Sequence, residues 1–135
     1  MGKNLEFFIE QQNADGTYKL ISSIMTSRWT VLDNFIDGMD KHSLVWEMTG
    51  SIPYELFSET EICHEEAYCR YMGFSTTTKG FKDFLDKTRT VMITYSGEDE
   101  EWVDIYLQRH YDIYNQMREQ EKNGLPCRII FHSSI

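Results

Sequence analysis

Carboxylates are concentrated in one run in the C-terminal third of the chain. The run holds no basic residue and consists of Glu98, Asp99, Glu100 and Glu101, with Asp104 close behind. Such a run can attract a cation or a basic protein surface. It can equally stabilise the start of a helix, because carboxylates in a first turn interact with the exposed amide groups there, by about 0.3–1 kcal/mol each. The alternating oxygen ligands of a calcium loop are absent, so a binding patch and helix capping stay as the two interpretations.

Two tyrosines flank a histidine at helical spacing just after this run. Tyr106, His110 and Tyr114 recur at every fourth position, so they share one flank of a helix. Two phenols around an imidazole could form a proton-transfer site or a surface on which a base stacks. An aromatic stripe on an amphipathic helix is also typical of core positions whose polar tips reach the surface.

A second ionisable cluster contains the types of residue that bind transition metals. It consists of Glu61, Cys63, His64, Glu65, Glu66 and Cys69. We predict a helix over residues 59–72, because Ser58-Glu59-Thr60-Glu61 has the form of a capping box. On that helix Cys63 and Cys69 are separated by about 240° around the axis, so they cannot share a face, and only Glu65 and Cys69, one turn apart, could ligate the same ion. Two ligands do not make a zinc site, and we therefore predict no metal and no cofactor.

A basic and an aromatic residue are adjacent at Arg28 and Trp29, which is the composition of an interface anchor. Cation–π packing within the domain is the alternative. His42, His64 and His132 have no paired nucleophile, and the chain has no glycine-rich phosphate loop, G-x-S-x-G or H-E-x-x-H motif. The sequence predicts no catalytic residue and favours a protein that is not an enzyme.

The elements that must position these residues begin with a hairpin. Leu5, Phe7 and Ile9 alternate with polar residues, which is the period of a half-buried strand. Asn13-Ala14-Asp15-Gly16 supplies the residues of a tight turn, so residues 17–25 are predicted to return as the second strand.

Shorter elements are predicted through the middle of the chain. Apolar residues at helical spacing predict a helix over 31–39, and 43–48 is either a brief strand or a loop. The polar run 75–78 leads into a helix over 81–88. The β-branched residues of 91–95 predict a strand.

The longest helix is predicted over residues 98–122, where Asn123-Gly124 and Pro126 stop it. We expect Val103, Tyr106, Ile113 and Met117 to face the sheet, and Glu100, Glu101, Asp104 and Arg118 to face water. Residues 127–132 are predicted to form the final strand. The resulting fold class is α+β, in a single domain of residues 1–135: a small, mostly antiparallel sheet that starts with the N-terminal hairpin, helices packed on one face, and a long C-terminal helix followed by a last strand.

Charge and composition bear on partners and location. The formal net charge is −9, which repels phosphate backbones and anionic lipids, so we expect neither nucleic-acid nor membrane binding. The sequence has no long apolar span, its first residues lack the order of a signal peptide, and its three cysteines do not suggest a disulfide framework. These observations predict a cytoplasmic protein.

Several short motifs resemble small bacteriophage-encoded proteins of uncharacterised function. The motifs are Leu5-Glu6-Phe7-Phe8-Ile9-Glu10, Asp15-Gly16-Thr17-Tyr18, Trp29-Thr30-Val31-Leu32 and Ile52-Pro53. Arg28 and Trp29 match the Arg and aromatic residue that those proteins place in their middle segment, whereas no His-Ser element directly follows the Ile52-Pro53 segment here. The resemblance implies a phage origin rather than a particular activity. Small acidic phage proteins often act by binding and blocking a host protein, and a phage origin predicts the host cytoplasm as the location.

Three functions follow as hypotheses. The first is an interaction protein that inhibits or redirects a host protein through its acidic surface. The second is a domain that binds or sequesters a small nucleotide-like ligand through Arg28, Trp29 and the tyrosines of the long helix. The third is a metal-dependent hydrolase, if acidic clusters meet in space with His64 or His110 as an added ligand.

Overall fold

The chain opens with the predicted β-hairpin. The computed structural model of the chain describes residues 4–26, 58–62, 71–95 and 97–134, and it places β1 at Asn4–Gln12 and β2 at Tyr18–Thr26. In the turn, the Gly16 N–H donates to the Asn13 carbonyl at 3.0 Å, and the φ of Gly16 is 89°, a conformation that favours glycine. Asp15 Oδ1 accepts from the N–H and hydroxyl of Thr17 at 3.0 and 2.6 Å, and these bonds lower the pKa of Asp15.

Three more strands of the described residues join the hairpin in a sheet in which every described pairing is antiparallel. They are β3 at Ser58–Ile62, β4 at Tyr71–Thr77 and β5 at Cys127–Ser134. The spatial order is β2-β1-β5-β4-β3, so the last strand of the chain lies in the centre of the sheet, beside the first. The final strand was predicted over 127–132 and is confirmed.

The predicted helix over 59–72 is wrong, because both ends of that segment are strands. Thr60 lies opposite Gly73 in the ladder, and its hydroxyl is hydrogen-bonded to that of Ser75. A capping box is a short local pattern, and here pairing with a distant strand decides the conformation. The polar run 75–78, predicted to lead into the next helix, is instead mostly the end of β4.

Helix α1 spans Thr78–Thr90 and confirms the helix predicted over 81–88. Its first turn is capped by Thr77, whose Oγ1 accepts from the Gly80 N–H at 3.1 Å. The strand predicted at Val91–Tyr95 is wrong, because these residues continue α1 as a π-helical turn. Met92 of this turn is 7% exposed and packs in the core, so its apolar character reflects burial in a helical turn.

Helix α2 spans Glu100–Gln120, ends in a short 3₁₀ turn at Glu121–Asn123, and confirms the long helix. Its buried stripe is Val103, Leu107, His110, Ile113 and Met117. Tyr106, which was expected to face the sheet, is half-buried and packs against the core cluster, whereas Leu107, which was not expected there, is fully buried. No helix among the described residues has the length and apolarity needed to cross a membrane.

Both helices pack against one face of the sheet, as the α+β prediction required. The buried cluster combines Phe7 and Ile9 of β1, Ile129 of β5, and apolar residues of both helices. Gln11, 1% exposed, fixes the end of α2 to the sheet, because its amide donates to the carbonyls of Gln120 and Leu125 at 2.8 and 2.9 Å. The predicted helix over 31–39 and the segment 43–48 lie outside the described residues.

Candidate functional site

The start of α2 gives some of the predicted carboxylates a structural role. Asp99 is the N-cap, and its Oδ1 accepts from the Trp102 N–H at 3.1 Å. Glu98 precedes the cap, and its Oε2 is buried without a hydrogen-bond partner among the described residues. Glu100 and Glu101 lie in the first turn and are exposed. Capping therefore accounts for Asp99, and the position in the first turn accounts for Glu100 and Glu101, whose carboxylates are nevertheless open to solvent.

An arginine from α1 reaches two carboxylates of α2. Arg89 Nε donates to Asp104 Oδ1 at 2.7 Å, and one of its terminal nitrogens donates to Asp104 Oδ2 at 3.3 Å and to Glu100 Oε1 at 2.7 Å. The contact with Arg89 lowers the pKa of Asp104, and the hydrogen bonds to Asp104 and Glu100 raise the pKa of Arg89. The acidic run contains no basic residue, and the fold places Arg89 of α1 beside it.

Two large apolar side chains of α2 are exposed beside these carboxylates. Trp102 is 49% exposed and Ile105 is 70% exposed, and we call them the apolar pair. They are neighbours on the helix surface because they are three residues apart. The indole of Trp102 stacks on the Tyr106 ring, with centroids 5.2 Å apart and planes at 7°. Neither residue was predicted as a site residue from the sequence. Ile105 could have been found, because it is an apolar residue that lies off the apolar stripe of the helix.

A shallow cleft of about 800 Å³ runs along this part of α2. Its lining, which we call the acidic cleft, is Asp99, Glu100, Glu101, Asp104, Ile105 and Gln108. Ile105 therefore belongs both to the apolar pair and to the acidic cleft. The arrangement offers an apolar centre with carboxylates around it, a combination that fits a cationic and partly apolar ligand surface.

The predicted tyrosine–histidine stripe is drawn partly into the core. His110 is 5% exposed, and its Nδ1 has no hydrogen-bond partner of normal geometry among the described residues. Burial, with a smaller effect of Arg109, lowers the pKa of His110 to about 4, whereas the Tyr106 carbonyl acts in the opposite direction. The Tyr106 and His110 rings are tilted relative to each other, with centroids 6.4 Å apart. Tyr114 is half-buried, and the guanidinium carbon of Arg118 lies 5.8 Å from its ring centroid. His110 is therefore neutral at pH 7 and has little contact with solvent.

A second cleft, of about 600 Å³, lies where β4, α1 and β5 meet β2. Tyr18, Lys79 and Arg128 are among its lining residues. Arg128 is 3.6 Å from the Tyr18 ring centroid and is paired with Glu10, whereas Lys79 is exposed and forms no ion pair with a described residue. Cys127 also lines this cleft, but burial raises the pKa of its thiol to about 11, which disfavours the reactive thiolate.

The remaining predicted site residues are not brought together by the described structure. Arg28, Trp29 and residues 63–69 of the proposed metal cluster lie outside the described residues, while Glu61 lies in β3. Within the described ranges no three His, Cys, Asp or Glu side chains are placed to hold a metal ion.

Comparisons with known proteins return no match to a protein-family model, a curated protein or a solved structure. The phage resemblance stays a prediction, and function is argued from the acidic cleft and the apolar pair.

Proposed function

We propose that this chain is an interaction protein that binds a basic surface of another protein through the acidic cleft and the apolar pair of α2. The observation that carries the proposal is the exposure of Trp102 and Ile105, of which Ile105 lines the acidic cleft together with carboxylates. Burial of apolar surface is favourable by about 25 cal/mol per Å², so two large exposed side chains on one helix face leave binding energy unused in the free chain.

The chemistry of this face matches the anatomy of protein interfaces. Tryptophan is among the residues most enriched in interface hot spots, and such anchors work when surrounding contacts exclude water. The stack on Tyr106 holds the Trp102 ring in place before a partner arrives, which reduces the entropy lost on binding. Trp102 is therefore the residue on which we expect affinity to depend most.

The charge around the apolar pair defines the partner. Glu101 is exposed in the lining of the acidic cleft, and the chain as a whole carries a formal charge of −9. A field of this sign attracts a basic surface, speeds its association and weakens as salt rises. A second copy of the chain would bring the same charge to the interface, so a different, basic protein is the favoured partner.

The resemblance to phage-encoded proteins supports a host protein in the host cytoplasm as that partner. Occupation of a basic surface would inhibit the host protein or redirect it to another target, because the acidic chain would compete with the ligand that normally binds there. The proposal thus joins the partner chemistry argued from α2 to the origin implied by the N-terminal motifs.

The test compares three tagged proteins in capture from host lysate: the parent, W102S/I105S, and E119Q/K122Q. The control removes an exposed ion pair near the end of α2, where Glu119 and Lys122 lie 2.8 Å apart, and it keeps the net charge. We expect the parent and the control to retain the same basic protein, with retention falling as salt rises. The W102S/I105S variant should melt close to the parent and lose at least about 30-fold in affinity, or about 2 kcal/mol. Undiminished capture by a folded W102S/I105S variant would refute the proposed surface.

A second candidate function is binding of a small anionic, nucleotide-like ligand in the cleft between β2, β4, α1 and β5. The observation that favours it is the placement of Lys79, which forms no ion pair with a described residue, in the same cleft as the Tyr18 ring. A nucleotide at 100 times its dissociation constant would stabilise the chain by about 2.7 kcal/mol. Thermal shift with a nucleotide panel tests this, with Lys79→Gln expected to abolish the shift and Lys122→Gln, which removes an exposed lysine elsewhere, expected to keep it. A panel that leaves the melting curve unchanged rules the candidate out.

A further inference from the structure

Arg89 binds two carboxylates that also line the acidic cleft. Its guanidinium contacts both oxygens of Asp104 and one oxygen of Glu100, although Arg89 itself does not line the cleft. Each of the two carboxylates therefore meets Arg89 on one side and the open cleft on the other. A cationic group that enters the cleft has to share these carboxylates with Arg89 or displace it.

We propose that an arginine of the basic partner takes the place of Arg89 on Asp104 and Glu100, so that Arg89 is an internal competitor that lowers the affinity of the acidic cleft. This inference rests on the proposed function of the cleft and adds the identity of the recognised side chain. Arginine is favoured over lysine because the planar guanidinium forms two parallel hydrogen bonds with a carboxylate, which is the geometry that Arg89 already displays with Asp104.

The exchange is feasible because the internal contact is accessible and contributes little to folding. The side chains of Arg89, Asp104 and Glu100 are 34%, 53% and 68% exposed, and exposed ion pairs have small net effects on stability. A separate contact holds α1 against α2, since the Tyr111 hydroxyl donates to Asp86 Oδ1 at 2.8 Å. Release of Arg89 therefore leaves the packing of the two helices in place.

The test measures the affinity of the full chain for two fluorescent peptides, one alternating arginine with leucine and the other alternating lysine with leucine. The variants are R89Q, R89K, K122Q and W102S/I105S. K122Q is the matched control, because it also removes one cation and leaves the exposed carboxylate of Glu119 without its partner 2.8 Å away. R89K keeps the net charge but lacks the planar guanidinium, so it distinguishes competition by Arg89 from a simple change in charge. It also replaces R89Q in the comparison if circular dichroism shows that R89Q folds poorly.

We expect R89Q to bind the arginine peptide about 3- to 10-fold more tightly than the parent, because binding no longer requires two exposed ion pairs to break. R89K should also bind more tightly, K122Q should match the parent, and the lysine peptide should bind more weakly throughout. The inference is overturned if R89Q gains no more than K122Q, if R89K gains nothing, or if the lysine peptide binds equally well. In each of those cases the proposed function still holds if the parent binds the peptides and W102S/I105S does not. Absence of peptide binding by the parent and by every variant overturns both proposals.

Discussion

Arg128 of β5 forms an ion pair with Glu10, the residue opposite it in β1. Its Nε and one terminal nitrogen lie 2.8 and 2.7 Å from Glu10 Oε1, and the Glu10 side chain is 1% exposed. The pair thus joins the central strand β5 to its neighbour β1 at a site that water hardly reaches. Removing one partner of a buried ion pair typically costs about 3–5 kcal/mol.

We therefore expect Arg128→Met to lower the free energy of unfolding by about 3–5 kcal/mol, measured by urea denaturation. The double variant E10L/R128M should recover most of this loss, because it removes both charges and keeps apolar volume between the strands. Lys122→Gln, at an exposed pair, is the control and should stay within about 1 kcal/mol of the parent. A loss of that small size for Arg128→Met would show that the Glu10 carboxylate is stabilised by other groups.

His110 should make stability depend on pH. Its pKa is lowered from 6.5 to about 4 in the folded chain, mainly by burial, so the unfolded chain takes up the proton at a higher pH. The contribution of the neutral ring is fully present above pH 6.5 and is lost as the pH falls toward 4, by about 3 kcal/mol in total. We expect His110→Leu to lose this part of the acid dependence and to match or exceed the stability of the parent near pH 4. Urea denaturation across this pH range measures the difference, and equal slopes for parent and variant would contradict the prediction.

Leu107 and Tyr106 should respond very differently to truncation. Leu107 is 0% exposed in the core, whereas the half-buried Tyr106 ring stacks on a partly exposed Trp102. Leu107→Ala should cost about 2–5 kcal/mol, as for other buried leucines, and Tyr106→Ala should cost less than about 3 kcal/mol. Thermal and chemical unfolding of the two variants tests the order. A larger loss for Tyr106→Ala would place Tyr106, as sequence spacing alone suggested, at the sheet.

Asp99 and Glu101 both line the acidic cleft, and only Asp99 also caps α2. Asp99→Ala removes the acceptor for the Trp102 N–H and should cost about 0.5–2 kcal/mol of stability. Glu101→Gln should change stability by tenths of a kcal/mol and weaken binding of the arginine peptide, since Glu101 lines the cleft and makes no cap. Circular dichroism melting and the peptide titration together assign each residue. Unchanged peptide binding by Glu101→Gln would show that the Glu101 carboxylate contributes to solubility and not to binding.

Local signals in the sequence predicted the elements that depend on local interactions. The alternation of Leu5, Phe7 and Ile9 with the turn at Gly16 predicted the hairpin, and helical spacing predicted α1 and α2. Such patterns are readable because strand and helix periods place apolar side chains on one face regardless of the rest of the chain. The acidic run was likewise located from sequence, since charge density needs no tertiary information.

Only the tertiary structure decided the features that depend on distant partners. Ser58–Ile62 and Tyr71–Thr77 are strands because they join a sheet whose central strand comes at the end of the chain, and no local pattern carries that information. The exposure of Trp102 and the full burial of Leu107 follow from the rotation of α2 on the core, against which Tyr106 is only half-buried. The contact of Arg89 with Asp104 joins two helices. The acidic run contains no basic residue, and the packing of α1 against α2 places the Arg89 guanidinium beside it.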